Sequence, residues 1–284
     1  MNLNGTGVAL ITPFDNNQQV DFQGLANLLK HTETAEYWVV HGTTGESVTT
    51  TAAEKAAIAT FIRNNNPTKK TLVYGLGSND TQHILEELKH TDFTGFDAIL
   101  SVSPYYNKPT QEGIYQHYKV IADNSPLPII LYNVPGRTMS NLTSQTTLRL
   151  ANHKNIIGIK EASGNVEQCM RIAKDKPADF LLISGDDLLT LPMIAFGASG
   201  VISVIANAFP SFSNLVRLAL AGNYAEASKI LYSLLEINEL MYLESNPVGV
   251  KQALEILGVC GAEVRMPLLK ATPELKSKLE QYMK

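Results

Sequence analysis

Eight short runs of β-branched and aliphatic residues recur along this chain, and a stretch with helical spacing follows each of them. The runs are Val8–Ile11, Trp38–Val40, Thr71–Tyr74, Ala98–Val102, Ile129–Tyr132, Ile156–Lys160, Leu181–Ser184 and Val201–Ile205. The helical patterns begin near Asp21, Thr51, Asp80, Thr110, Thr143, Asn165, Asp187 and Phe209. Most start on a side chain that can accept from the free N–H groups of a first turn. A strand followed by a helix, eight times over, predicts an α/β fold closed as a parallel (β/α)8 TIM barrel. An open doubly wound sheet is the alternative, but no G-x-G-x-x-G follows the first run.

Residues 223–284 carry no strand pattern. Tyr224–Ser245 has helical spacing with no Gly or Pro. Asn246-Pro247 restarts a helix, with Asn as its cap and Pro in its first turn, and Thr272–Lys284 reads as a last helix. The expected division is a barrel over 1–222 and a C-terminal helical appendage over 223–284, which suits a chain of 284 residues. The net charge of −4 is scattered without a basic stripe, which argues against nucleic acid as a partner. No apolar run reaches membrane-spanning length, and Met1–Gly5 lacks the basic and apolar segments of a signal peptide. Cys169 and Cys260 stand far apart in no metal-like spacing. They are expected as free thiols of a cytoplasmic protein.

Active sites of such barrels gather at the carboxyl ends of the strands, and that rule selects the candidates. Lys160 ends the sixth run. Burial at a strand end strips an ammonium of hydration and favours the neutral amine, which can attack a ketone to form a Schiff base. After the second run, Gly42-Thr43-Thr44-Gly45-Glu46-Ser47 offers hydroxyls and free N–H groups to a carboxylate; on its own it reads equally as a βα turn with capping hydroxyls. Ser103-Pro104-Tyr105-Tyr106-Asn107-Lys108-Pro109 and Tyr132-Asn133-Val134-Pro135-Gly136-Arg137 follow the fourth and fifth runs. A strand-end tyrosine can move a proton, and an arginine beyond it can grip a carboxylate. Taken singly, each tyrosine reads as a packed aromatic and Arg137 as a solvated loop charge. Asp186-Asp187 follows the seventh run with no third ligand nearby, so a helix cap is expected there rather than a metal site. His41, before the Gly-Thr-Thr turn, is expected as a satisfied core or rim histidine.

Together these segments resemble the dihydrodipicolinate synthase and N-acetylneuraminate lyase superfamily of Schiff-base pyruvate enzymes, and within it the dihydrodipicolinate synthase branch. The resemblance runs from Gly7 to about Pro267. It rests on the motifs above, with Ile159-Lys160-Glu161, Ser184-Gly185-Asp186-Asp187, Gly200–Asn207 and Asn246-Pro247 with Lys251. It implies that Lys160 forms the Schiff base and that Tyr132, Thr43 and Tyr106 relay protons, Tyr106 coming from a neighbouring subunit. It further implies that Thr44 holds the carboxylate of pyruvate, Arg137 that of L-aspartate 4-semialdehyde, and that Gly185 and Ile202 add backbone contacts. A homotetramer of two tight dimers is implied, with no metal or organic cofactor.

Inhibited members of this family bind lysine in a cleft at the tight-dimer interface. At the matching positions this chain has Ser47, Asn79 and Tyr105, but Ala52, Lys55 and His83 in place of two histidines and a glutamate. His83 offers no negative charge where the acid is expected, and Lys55 brings a positive one nearby, so the cleft should repel a cationic ligand. Another pyruvate lyase of the superfamily, acting on sialic acid or a keto-deoxy sugar acid, would need a pocket suited to a polyol. Thr44 and Arg137 favour a small carboxylated aldehyde instead. A non-catalytic barrel that only binds a small acid would have lost Lys160 or Tyr132.

Overall fold

The structure, a computed structural model, describes residues 1–284. Eight parallel strands close in sequence order: β1 (Gly5–Ala9), β2 (Tyr37–Val40), β3 (Thr71–Gly75), β4 (Ala98–Val102), β5 (Ile129–Asn133), β6 (Ile156–Glu161), β7 (Leu181–Ser184) and β8 (Gly200–Ser203). The barrel shuts where Gly5 pairs with Gly200 and Gly7 with Ile202. Outside it lie α1 (Phe22–His31), α2 (Ala52–Asn64), α3 (Thr81–His90), α4 (Gln111–Asn124), the one-turn α5 (Pro135–Thr138), α6 (Ser144–Leu150), α7 (Val166–Asp175), α8 (Thr190–Ala195) and α9 (Phe212–Leu220). Four helices follow: α10 (Tyr224–Tyr232), α11 (Leu235–Tyr242), α12 (Val248–Ile256) and α13 (Pro273–Tyr282). None is long and apolar enough to cross a membrane.

Six expected helix starts are caps in the strict sense. Asp21, Thr51, Asp80, Thr110, Thr143 and Asn165 each accept a first-turn N–H, and Thr51 completes a capping box with Glu54. Asp187 does not cap a helix after β7; α8 begins three residues later, behind Leu189, without a side-chain cap. The last barrel helix begins at Phe212 rather than Phe209. The long helix expected from Tyr224 to Ser245 is two helices. At the break the Ser233 hydroxyl donates to the Ile230 carbonyl, and Leu234 turns into the core with φ −113°.

The first strand lies three residues earlier than its apolar run suggests. Of its two glycines, Gly5 takes φ +95°, a conformation that favours glycine, and Gly7 is there for close approach. A Cβ on Gly7 would stand 2.1 Å from the Tyr37 ring, which crosses the barrel interior to donate to the Val201 carbonyl at 3.2 Å. β8 ends at Ser203 because the N–H groups of Val204 and Ile205 go to Asp187 and the chain turns into a short 3-10 helix, Ile205–Asn207. Two apolar layers result. Val39, Val73, Leu100, Ile130, Ile183 and Ile202 belong to the layer filling the barrel. The larger layer, between sheet and helices, takes the alternate strand residues and the apolar stripes of the helices.

Candidate active site

Strand alternation decides which way each site residue faces. In register, Lys160 lies beside Tyr132 on one side and Ile183 on the other. Both neighbours belong to the layer filling the barrel, so Lys160 points inward at the carboxyl end of β6. Glu161, next in sequence, points outward. Its buried carboxylate accepts from Asn133 Nδ2 (3.0 and 3.1 Å), Gln168 Nε2 (2.9 Å) and the Ser163 N–H (2.8 Å). That network fixes the strand end, and Lys160 Nζ comes to 4.4 Å from the centroid of the Tyr132 ring. Lys160 is only 6% exposed and has no carboxylate partner. Its stem passes directly over Gly185, where an added Cβ would stand 2.9 Å from Lys160 Cε.

Lys160 lines a cavity of about 420 Å³ together with Thr43, Thr44, Tyr132, Arg137, Gly185 and Ile202. Seven of the expected site residues are therefore brought together, from five different strand ends. Thr43 and Tyr132 share the cavity, but their hydroxyls do not hydrogen-bond to each other; such contacts often tighten only with substrate bound. Arg137 projects from α5, exposed, with no acidic partner in the chain. Tyr106 is the exception. It is 87% exposed, has φ +73° and lines no part of this cavity.

The turn that carries Thr43 and Thr44 is held mainly from the far end of the sequence. Asn246 Nδ2 donates to Thr44 Oγ1 at 3.1 Å, so Asn246 is not the cap expected for α12, which begins behind Pro247 without a side-chain cap. Glu46, in left-handed conformation at φ +52° and 4% exposed, pairs with the fully buried Lys251 ammonium and accepts the Arg265 N–H at 3.0 Å. Lys251 also donates to the Glu263 carbonyl at 2.7 Å, and burial pulls its pKa down from the usual lysine value. The Arg265 side chain reaches Glu54 and the carbonyls of Gln18 and Thr49. α11 adds Asn238, Glu239 and Tyr242 to the cavity wall, residues that no strand-end rule could select. Their only sequence signal is a polar stripe at i, i+1 and i+4 on one helix face.

Asp187 also differs from expectation. It is 3% exposed, with Oδ2 accepting the N–H groups of Val204 (3.1 Å) and Ile205 (3.0 Å), and burial pushes its pKa up to about 6. No group of three or more His, Cys, Asp or Glu side chains is placed to hold a metal ion. His41 is buried and half satisfied. Its Nε2 contacts the Lys55 carbonyl at 3.1 Å, which assigns that nitrogen the proton, while Nδ1 has no partner. Burial lowers its pKa to about 3.

A second cavity of about 500 Å³ opens from the first, sharing Gly42, Thr43, Tyr132 and Arg137. Ser47, Lys55, His83 and Tyr105 line it. Ala52 lines the adjoining groove between α2 and α3, and the Asn79 carbonyl accepts from Asn107. The fold also brings in Glu87, one helical turn beyond His83 and 3.9 Å from its Nε2. The cleft therefore holds an acid that reading matched positions alone does not count.

The model of the dihydrodipicolinate synthetase family matches residues 2–284. A 4-hydroxy-tetrahydrodipicolinate synthase of Cytophaga hutchinsonii is 49% identical over 280 residues, covering 98% of this chain and 94% of the relative. Among solved structures, a dihydrodipicolinate synthase from Aquifex aeolicus superposes with a TM-score of 0.94 at 39% identity, covering 99% of this chain and 97% of the other. A monomeric dihydrodipicolinate synthase variant superposes at 0.95 with 34% identity, over 99% and 95% of the two chains. With end-to-end agreement in sequence and in backbone, the chain belongs to the dihydrodipicolinate synthetase family.

Proposed function

We propose that this chain catalyses the 4-hydroxy-tetrahydrodipicolinate synthase reaction, condensing pyruvate with L-aspartate 4-semialdehyde on the diaminopimelate route to lysine in the cytoplasm. The observation that carries the reading is Lys160: a buried amine without an acidic partner, facing Tyr132 in a cavity that also holds Thr44 and Arg137. The amine adds to the pyruvate ketone and water leaves, giving an iminium. The iminium is the electron sink, so a methyl proton departs and an enamine forms, with no metal or organic cofactor required. Tyr132 and Thr43 carry the protons. Thr44 and the nearby N–H groups bind the pyruvate carboxylate, and Arg137 binds that of the aldehyde. Gly185 leaves room for the Lys160 stem, while Ile202 contributes backbone to the wall. The enamine carbon bonds to the aldehyde carbon. The substrate's own amine then displaces Lys160 by transimination.

The reading includes assembly as a homotetramer of tight dimers. A monomeric relative shares the fold, so folding alone gives no reason to assemble. Tyr106 does, because an exposed tyrosine in left-handed conformation suits donation to a neighbouring subunit's site. The reading also takes residues 1–222 as the barrel and 223–284 as its helical appendage, supported by the absence of any strand after β8.

Pyruvate with borohydride tests the central step. Reduction should fix one pyruvate on the peptide containing Lys160. Labelling elsewhere, or active protein that takes no label, would reject the Schiff base.

A further inference from the structure

Tyr242 ends α11 and is the one hydroxyl that this helix brings to the main cavity. The packing of α11 fixes where it stands. Ile237 and Met241, one turn apart, are fully buried, and the last turn rests directly on α12: a Cβ on Gly249 would stand 2.5 Å from Met241 Cα. α12 is held against the Thr43-Thr44 turn by Asn246 and Lys251. Tyr242 therefore lines the same cavity as Lys160, Tyr132 and Arg137. The residue as a whole is 39% exposed, at the rim, and its hydroxyl is the deep end. Burial raises the pKa of that hydroxyl well above the usual phenol value. The carboxylates of Asp187 and Asp186 and the Tyr132 hydroxyl add to the rise, and the Arg137 guanidinium opposes it. The hydroxyl thus keeps its proton at every working pH, which suits a fixed donor rather than a proton carrier. It also feels both the acidic pair and Arg137, and it makes no hydrogen bond within the chain. A desolvated donor without a partner is costly unless an acceptor arrives from outside.

We infer that Tyr242 is a specificity-determining residue for the second substrate, its hydroxyl donating to the same carboxylate that Arg137 grips. The inference rests on the proposed reaction and deepens it. Lys160 and Arg137 are the two cations lining the cavity, and the Lys160 amine is committed to pyruvate. A carboxylate offers about four lone-pair sites, of which a guanidinium fork takes two. The cavity is also lined by Asp186, Asp187 and Glu239, so an incoming carboxylate meets negative charge there. A second cation would be drawn to those acids. A neutral hydroxyl instead gives the remaining lone pairs a donor that the acids cannot discharge. Held by donors from α5 and from α11, the carboxylate has one orientation, and the aldehyde carbon has one approach to the enamine.

Tyr242→Phe removes the hydroxyl and keeps the ring. The hydroxyl bonds to nothing in the chain, so the fold is undisturbed. Borohydride trapping of pyruvate at Lys160 should keep its rate. The KM for L-aspartate 4-semialdehyde should rise on the order of 10-fold with kcat changed by less than about twofold, the mark of a contact made equally in ground and transition states. A carboxylate carries the same charge throughout the reaction, whereas the aldehyde oxygen gains charge as the carbon bond forms. A fall in kcat would therefore place the hydroxyl on the aldehyde oxygen and overturn the inference. Succinate semialdehyde, which lacks only the amino group, supplies the second reading as an inhibitor of the pyruvate-loaded enzyme. Its inhibition constant should rise by the same factor as the KM. If only the amino aldehyde is weakened, the contact is to the amino group and the inference fails. It fails as well if neither aldehyde is affected, or if trapping slows, because Tyr242 would then act on the Schiff base. Trapping in the unaltered protein separates the two levels. If that protein is trapped and the variant behaves like it, the Tyr242 contact alone is lost; if it is not trapped, the proposed reaction falls first.

Discussion

Replacing Lys251 with methionine removes the only cation paired with Glu46. Lys251 is fully buried, its ammonium lies 4.3 Å from the centroid of the Phe14 ring, and that same ammonium joins Glu46 to the Glu263 carbonyl. In the variant the Glu46 carboxylate keeps one donor, the Arg265 N–H at 3.0 Å, and remains buried. Breaking a buried pair by removing one partner costs about 3–5 kcal/mol. That is a large part of the roughly 5–15 kcal/mol that stabilises an ordinary fold. The double variant Glu46→Gln with Lys251→Met removes both charges. The amide oxygen of the introduced glutamine can still accept from the Arg265 N–H, and the methionine chain still packs on Phe14. The double variant should therefore recover most of the loss, leaving a coupling of at least about 2 kcal/mol in the cycle. Urea unfolding followed through Trp38, the one tryptophan of the chain, measures each corner. Steady-state assays supply a second reading: Glu46 lies two residues beyond Thr44, so the single variant should also raise the KM for pyruvate. Additive costs in the cycle, or a single-variant cost under about 1 kcal/mol, would refute the claim that this pair holds the catalytic turn.

Gly185→Ala places a Cβ 2.9 Å from Lys160 Cε and 2.6 Å from Ala162 Cβ, so the lysine stem must shift. A displacement of about 1 Å should slow pyruvate trapping on the order of 100-fold while the fold survives; an unchanged rate would show that the stem does not hold this path in solution. Mixing Tyr106→Phe with Lys160→Ala subunits should restore part of the activity, and failure after demonstrated subunit exchange would put Tyr106 in its own subunit's site. Lysine should inhibit weakly, because Lys55 and His83 stand where the family's inhibited members offer other groups. Strong inhibition abolished by Glu87→Gln would mean that the acid one turn along the helix has taken over the role. His41, with its pKa lowered to about 3, favours the neutral ring in the fold, while the unfolded chain protonates it near 6.5. Its contribution is therefore complete above pH 6.5 and declines by about 1.4 kcal/mol for each unit the pH falls toward 3. His41→Asn, which tolerates the φ of +61°, should flatten the fall in melting temperature between pH 6.5 and 4.5; an unaltered slope would exclude His41 as its source.

Much of this protein is legible in its sequence because the governing interactions are local. A strand run and a helical stripe each record which face is buried, and eight such units leave closure as the way to bury every strand on both faces. Caps are equally local, which is why six helix starts coincide with the residues that satisfy them. Lys160 could be selected because barrel geometry sends every strand end to one face. Tertiary structure decided the rest. Glycines at the start of β1 belong to a strand, since the Tyr37 ring needs the space above Gly7. Asn246 reaches Thr44 across 202 residues instead of capping its own helix, and Asp187 spends its carboxylate on the turn after β8 instead of on α8. α11 brings Asn238, Glu239 and Tyr242 to a cavity formed by strands far back in the chain. Hydrophobic periodicity encodes burial, one residue at a time, along a segment. Which polar atoms meet inside a cavity depends on how distant segments pack, and only the folded chain sets those distances.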